Sequence, residues 1–209
     1  MTTPAMRFIR YALRIGAFEF PPGGSKLKGK RLSPYLFNSG IFYTGKSIRV
    51  LARAYAATIE GNFHPDVVFG AAYKGIPIAT AVAQVLGGNI GYAFNRKEIK
   101  DHGEGGIVVG APLRGKKVVI LDDVMTTGDS SRKALEIIRN AGGIPVGCAI
   151  AFDRHEIGNN GSQSAIQEFK EHFGIAVRAV ATLTDLINGL EEGPILDKIL
   201  DYRRLYGAA

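Results

Sequence analysis

Apolar residues along the chain follow two alternating patterns. The short runs "PDVVFG", "GYAFNR", "VVILDD", "VGCAIAFDR" and "AVRAVATL" are rich in β-branched residues and read as strands. Val118, Val119, Ile120 and Leu121 form a continuous apolar run, the mark of a strand buried on both faces as in a parallel sheet. Between the strands, helical spacing takes over in "KSIRVLARAYAATIEG", in "IPIATAVAQVLGG" with Pro77 tolerated in its first turn, and in "SRKALEIIRNAGG". In the last of these Ala134, Ile137, Ile138 and Ala141 repeat on one face and Gly142 supplies the stop. "SAIQEFKEHFG" and "PILDKILDYRRLYG" read as two further helices. This alternation predicts an α/β fold, a mainly parallel central sheet flanked by helices. Nothing divides residues 1–209, which read as a single domain, but residues 1–40 stand outside the alternation and are expected to form a small helix-plus-strand hood.

The stretch "VVILDDVMTTGDS" raises a chemical question, because a buried strand ends in two adjacent carboxylates, Asp122 and Asp123. A core does not readily take two ionised acids, so they belong at the sheet's carboxyl edge, where open α/β sheets place ligands. Strand alternation sends them in opposite directions. They can act as helix-capping acids and nothing more. The residues that follow argue for a ligand: Thr126, Thr127, Gly128, Asp129 and Ser130 present backbone amides and hydroxyls at a helix N-terminus, which suits a phosphate. Acids that accept hydrogen bonds from a ribose diol, one sugar away from a phosphate loop, suit a sugar phosphate.

Composition narrows the class. The chain has 209 residues, 46% apolar and 22% charged, as expected of one globular domain. It has no apolar run of about 18 residues and no signal-peptide pattern at its start, so a cytoplasmic location without a membrane partner is expected. The single Cys148 lies in an apolar run and reads as a core residue. A net charge of +7 favours anionic partners. "SKLKGKRLSPY" is basic without acids, yet no aromatic residues alternate with its charges and no nucleic-acid motif appears, so nucleic acid is not expected as a partner. "GIFYTGKS", Gly40 to Ser47, satisfies the phosphate-loop pattern, but Ile41, Phe42 and Tyr43 are too bulky for a loop that curls amides round phosphates.

"VVILDDVMTTGDS" resembles the 5-phosphoribosyl 1-pyrophosphate (PRPP) motif of type I phosphoribosyltransferases. "SPYLFNSG", "FGAAYKGIPIA", "FNRKEIKDHGEGG" and "FDRHE" narrow the resemblance to orotate phosphoribosyltransferases, in that family's order from Lys26 to Arg154. The resemblance implies transfer of phosphoribosyl from PRPP to orotate with Mg2+, giving orotidine 5'-monophosphate and pyrophosphate in pyrimidine biosynthesis. It places Lys26, Tyr73, Lys74, Arg96, Lys97, Lys100 and His102 around PRPP, with the loop Asp122, Asp123, Val124, Met125, Thr126, Thr127, Gly128, Asp129 and Ser130. Lys100 and Asp123 take the catalytic roles. Leu36, Phe37, Thr126 and Arg154 would contact orotate, Arg154 by a two-point pairing with its carboxylate. No protein metal ligands are implied, since the magnesium travels with PRPP and water. A cis peptide between Ala72 and Tyr73 is also implied.

"KEIKDHGEGG" has few apolar residues and three glycines, Gly103, Gly105 and Gly106, and reads as a lid that closes to exclude water. The resemblance adds that this lid serves the neighbouring subunit of a homodimer. Two other classes compete: a regulator of the same fold that binds PRPP and nucleic acid without turnover, and a P-loop hydrolase. Lys74, Lys100 and the acid pair argue against the first, and the bulky loop interior against the second.

Overall fold

The computed structural model describes residues 3–27, 31–100, 106–158, 161 and 163–208, and of residues 97–100 the backbone alone. The chain begins with α1, Pro4–Arg14, capped by the Thr3 hydroxyl, which accepts from the Met6 amide. Two short antiparallel ladders follow: β1, Phe18–Glu19, pairs with β4, Leu36–Phe37, and β2, Ser25–Lys26, pairs with β3, Leu32–Ser33. This is the expected hood of helix and strands, but it does not sit apart from the body. Phe8, Ile9, Phe18, Tyr35 and Phe37 belong to the same buried cluster as Val68, Val119 and Phe152 of the main sheet.

A 3-10 turn, Ser39–Ile41, leads to α2, Gly45–Glu60. Here the phosphate-loop pattern resolves into ordinary helix initiation, because Thr44 and Ser47 form a reciprocal capping box and Phe42 is buried in the core. Next come β5, Val67–Gly70, α3, Gly75–Leu86, β6, Gly91–Lys100, and β7, Gly106–Gly110. The second half runs β8, Lys117–Val124, α4, Asp129–Asn140, β9, Ile144–Asp153, α5, Ala165–Phe173, β10, Val177–Thr182, α6, Leu183–Gly189, and α7, Pro194–Tyr206.

β5 to β10 form one six-stranded sheet in the order β10-β9-β8-β5-β6-β7, parallel except for β7, which pairs antiparallel with β6. Residues of β8 explain why both faces are covered. Val119 and Leu121 enter the cluster shared with α1, α2, α3 and the C-terminal helices, while Val118 and Ile120 enter a second cluster with Ala134, Leu135 and Ile138 of α4 and Phe169 of α5. All four are fully buried, and each contributes about 1.5–3 kcal/mol by leaving water. Cys148 lies in that second cluster, with burial pushing its thiol up to about 12, as a core residue should.

Sequence periodicity did not mark β7 or α6, and it ended β6 at Arg96, whereas the ladder with β7 carries it to Lys100. The lid expected over residues 97–106 therefore begins on a β-ribbon, with Lys100 opposite Gly106. Residues 101–105 of that segment lie outside the described residues.

β6 leaves β5 on one side and β8 lies on the other, so the winding of the sheet reverses between β5 and β8. Their carboxyl ends are drawn unusually close to α3. A Cβ at Gly70 would overlap backbone atoms of Gly75 and lie 2.9 Å from the Ile76 Cα, and none of these can swing aside. Gly70→Ala should therefore cost about 1–3 kcal/mol of stability, a fall in melting temperature of roughly 2–4 °C per kcal/mol for a chain of this size. Gly45→Ala, where a Cβ meets nothing within 4 Å at the start of α2, should leave the melting temperature unchanged or slightly higher. Calorimetry on the two variants checks this, and equal melting temperatures would remove the packing argument.

Candidate active site

The strand that opened the question ends at the reversal point between β5 and β8. Asp122 and Asp123 are 8% and 6% exposed. Continuing the alternation of β8, Asp122 follows Val118 and Ile120, and Asp123 follows Val119 and Leu121, so the acids diverge as the pattern requires. Each is fixed by hydrogen bonds. Asp122 Oδ1 accepts from the Asp123 amide at 2.9 Å, and Asp123 Oδ1 accepts from the Val124 amide at 2.9 Å. Asp123 Oδ2 accepts from the Ser39 hydroxyl at 2.8 Å and pairs with Lys74 Nζ at 2.8 Å. Tyr55 of α2 donates its hydroxyl to the Asp122 carbonyl at 2.6 Å. Burial, and then the Asp123 charge beside it, push the Asp122 carboxyl up to about 7.

Lys74 comes from the turn after β5, where Ala71 donates its amide to the Leu121 carbonyl and locks the two strand ends together. The Ala72–Tyr73 peptide is cis, in agreement with the expectation drawn from the resemblance. The buried Asn95 of β6 accepts from the Ala72 amide at 3.1 Å, so three strands converge on this turn. Tyr73 and Lys74 are more than half exposed at the mouth of the site.

After Val124 the chain turns into α4. Gly128 takes φ 72° at the N-cap, a left-handed conformation that glycine adopts without strain, and no side chain caps the helix. The amides of the first turn of α4 therefore keep an end free of side-chain acceptors, which is what an anion requires. Thr126, Asp129 and Ser130 are exposed and Met125 is buried. Asp129 turns back on the loop, its Oδ2 accepting from the Thr127 hydroxyl at 2.6 Å.

Arg154, at the end of β9, lines a narrow cavity of about 40 Å3 with Met125, Thr126, Thr127 and Leu27. The structure thus brings Thr126 and Arg154 together. Leu36 and Phe37 are not part of that lining. Phe37 is 4% exposed and packs within the aromatic cluster of Phe8, Phe18, Phe42 and Phe152, so its ring is a core element. Leu36 is half-buried on the hood ladder opposite Glu19. Arg154 Nε and Nη2 both reach Glu156 Oε1, at 2.8 and 2.7 Å. Nη2 further donates to the Ser33 hydroxyl at 2.7 Å, and the guanidinium lies 4.2 Å over the Tyr35 ring.

Lys26 is exposed on the hood ladder of β2 and β3, and Arg96 is half-buried on β6. The side chains of Lys97 and Lys100, and all of His102, lie outside the described residues. The sequence pattern did not single out Ser39, Tyr55, Asn95 or Glu156. All four sit inside stretches already quoted, "SPYLFNSG", "KSIRVLARAYAATIEG", "FNRKEIKDHGEGG" and "FDRHE", but nothing in residue type alone tells a site serine or asparagine from a turn residue.

The model of the phosphoribosyl transferase domain matches residues 41–182. The orotate phosphoribosyltransferase of Nitrosococcus oceani is 49% identical over 209 residues, covering 96% of this chain and 94% of that protein. That of Marinobacter nauticus is 46% identical, with 96% and 97% covered. The crystal structure of the orotate phosphoribosyltransferase of Francisella tularensis superposes with a TM-score of 0.84 at 34% identity, over 97% of this chain and all of that one. An acid pair, a bare helix N-terminus and a buried arginine thus converge on one sheet edge inside a domain match covering more than half of the sequence, and the chain belongs to the phosphoribosyltransferase family, in the group of its orotate phosphoribosyltransferases.

Proposed function

We propose that the protein transfers the 5-phosphoribosyl group of PRPP to orotate, releasing pyrophosphate and forming orotidine 5'-monophosphate, a step of pyrimidine synthesis. The observation that carries this reading is the Lys74–Asp123–Ser39 cluster at the reversal point of the sheet, one loop away from the open N-terminus of α4. The first turn of α4 and the hydroxyls of Thr126, Thr127 and Ser130 hold the 5-phosphate, while Asp122 and Asp123 accept hydrogen bonds from the ribose diol. Lys74 is the mobile partner, being more than half exposed. On arrival of PRPP it moves from Asp123 to the pyrophosphate, which leaves Asp123 free for a ribose hydroxyl and keeps every charge paired. Lys26, Tyr73, Arg96, Lys97, Lys100 and His102 add donors around the leaving group. As the bond to pyrophosphate breaks, positive charge grows on the ribose and negative charge on the leaving oxygens, so fixed charges placed in advance lower the barrier.

Among the described residues no group of three or more His, Cys, Asp or Glu converges as a metal cage. Mg2+ would be carried by PRPP and water and not by a protein cage, and when bound it would supply positive charge against the pyrophosphate. Orotate enters beside Thr126, and Nη1 of Arg154 meets its carboxylate. Leu27 and Ile166 line the same cavity and would flank the bound base. The active form is a homodimer in which Lys100 of the lid acts on the neighbouring subunit's substrate. Among the described residues no helix is long and apolar enough to cross a membrane, and the reading places the enzyme in the cytoplasm.

Loss of orotate absorbance on mixing protein, PRPP, orotate and Mg2+ is the direct test. Asp123→Asn should fold, yet bind PRPP and turn over poorly, and a normal PRPP affinity by calorimetry would remove the diol assignment. Hydrolysis of a nucleotide independent of any base would point instead to a hydrolase.

The Asp122 carboxyl makes a pH prediction. Its folded value of about 7 lies above the ordinary value, so the fold holds the proton more tightly than the unfolded chain does. Below about pH 4 the group is protonated in both states and the favourable contribution is complete; it is lost as pH rises through 7, by at most about 1.4 kcal/mol per pH unit. Asp122→Asn cannot ionise, so its stability relative to wild type should rise between pH 4.5 and 8 in urea titrations. Parallel profiles for the two proteins would show that Asp122 is ionised throughout.

The shared lid predicts complementation. Lys100→Ala and Asp123→Asn homodimers should each be nearly inactive. After free exchange of subunits, half the dimers are mixed and each has one intact site, so about a quarter of all sites should recover. No recovery, with exchange confirmed independently, would mean that the lid serves its own subunit.

A further inference from the structure

Glu156, which holds Arg154, lies inside the matched phosphoribosyl domain, but the other groups packed around the guanidinium come from outside it: Ser33 and Tyr35 precede residue 41, and Tyr202 of α7, packed on Tyr35, follows residue 182. A domain shared by the family must handle the shared phosphoribosyl group, so segments added at its two ends are where recognition of a particular base is expected. α7 and its tail are fastened to the loop after β9. Ile157 donates its amide to the Tyr206 carbonyl at 2.9 Å, Ala208 donates to the His155 carbonyl at 2.8 Å, and Glu156 bridges to Gly207. Arg31 donates to the Ile157 and Gly158 carbonyls at 2.6 and 3.0 Å, with its guanidinium 5.3 Å over the Tyr206 ring.

Inside this clamp, Glu156 is the part-buried counter-charge of Arg154. One carboxylate oxygen takes both Nε and Nη2, and the Tyr35 hydroxyl approaches the same oxygen at 3.4 Å. Tyr202 packs edge-on against Tyr35, with ring centroids 6.4 Å apart. Its hydroxyl is a buried side-chain oxygen that lies beside both Arg154 and Glu156 without reaching full hydrogen-bond geometry to either. Burial, and next the Glu156 charge, push that hydroxyl up to about 12, so it remains a donor. A donor stored without an acceptor beside a carboxylate is costly unless some state of the protein uses it.

We propose that Glu156 and Tyr202 are positioning residues for orotate recognition. Glu156 holds the Arg154 fork so that only Nη1 is offered to the substrate carboxylate. Tyr202 supplies the hydrogen bond that Glu156 needs when the substrate draws on the same guanidinium. This rests on the orotate reading above.

Steady-state kinetics on the full-length enzyme tests it. Glu156→Ala should raise the KM for orotate about tenfold or more, with the KM for PRPP within about twofold. Glu156→Gln keeps an acceptor oxygen for Nε and should recover part of the loss. Tyr202→Phe removes an unsatisfied hydroxyl, so its melting temperature should stay level or rise while the KM for orotate increases severalfold. A merely structural role would lower the melting temperature and move both KM values together, and that outcome, or an unchanged orotate KM in Glu156→Ala, overturns the proposal. The wild-type control separates the two ideas. A wild type that turns over orotate while Glu156→Ala is indifferent removes only the positioning role, whereas a wild type without orotate turnover removes both.

Discussion

Two carboxylates at the end of a buried strand must be partnered, and much of the architecture around β8 supplies partners. An unpaired buried charge costs several kcal/mol, so Asp123 can remain 6% exposed only because Lys74 and Ser39 reach it. Those two residues come from the turn after β5 and from the 3-10 turn before α2. The Asp122 backbone is held in turn by Tyr55 of α2, and the turn that carries Lys74 is held by Asn95 of β6. The register between β5 and β8 follows from the same demand, since a shift of one residue would carry Lys74 away from Asp123 and reverse every side chain of the strand. Close contact between Gly70 and Gly75 keeps α3 near enough for that turn to be short.

The fold was legible in the sequence where burial is two-sided or periodic. Val118 to Leu121 announced a central strand because a short, β-branched apolar run suits a strand covered on both faces, and Ala134, Ile137 and Ile138 announced α4 because they share one face. β7 was not legible, since "GIVVG" is half-exposed at the sheet edge and its order comes from pairing with β6. The hood was recognised as separate in pattern, yet Phe8, Phe18 and Phe37 pack into the main core, a tertiary fact that local pattern does not carry.

The site was legible to the extent that its residues are contiguous. Asp122 to Ser130 form one strand, turn and helix start, so the sequence contains their geometry. Ser39 meets Asp123 across 84 positions, and Ser33 meets Arg154 across 121. No spacing rule joins such pairs. Phe37 entered through the resemblance alone, and its place in the aromatic core comes from the ladder with Phe18, which no local pattern announces.

Lys74 with Asp123 and Arg154 with Glu156 are the same physical solution used twice. Each recognition group is stored as an ion pair, so the protein folds without an uncompensated charge in its cleft. The two pairs differ in exposure, and that difference assigns them different behaviour. Lys74 is 54% exposed and can leave Asp123 with little loss of packing, whereas Arg154 is 6% exposed and stacked on Tyr35. In the proposed reaction the first pair exchanges partners as the pyrophosphate arrives and leaves, while the second stays assembled and offers one nitrogen. Exchange of one ion pair for another conserves the number of paired charges, so the step need not pass through a bare buried carboxylate. A long side chain at the mouth of the site and a planar, buried fork at its back therefore follow from one constraint, the cost of an unpaired charge away from water.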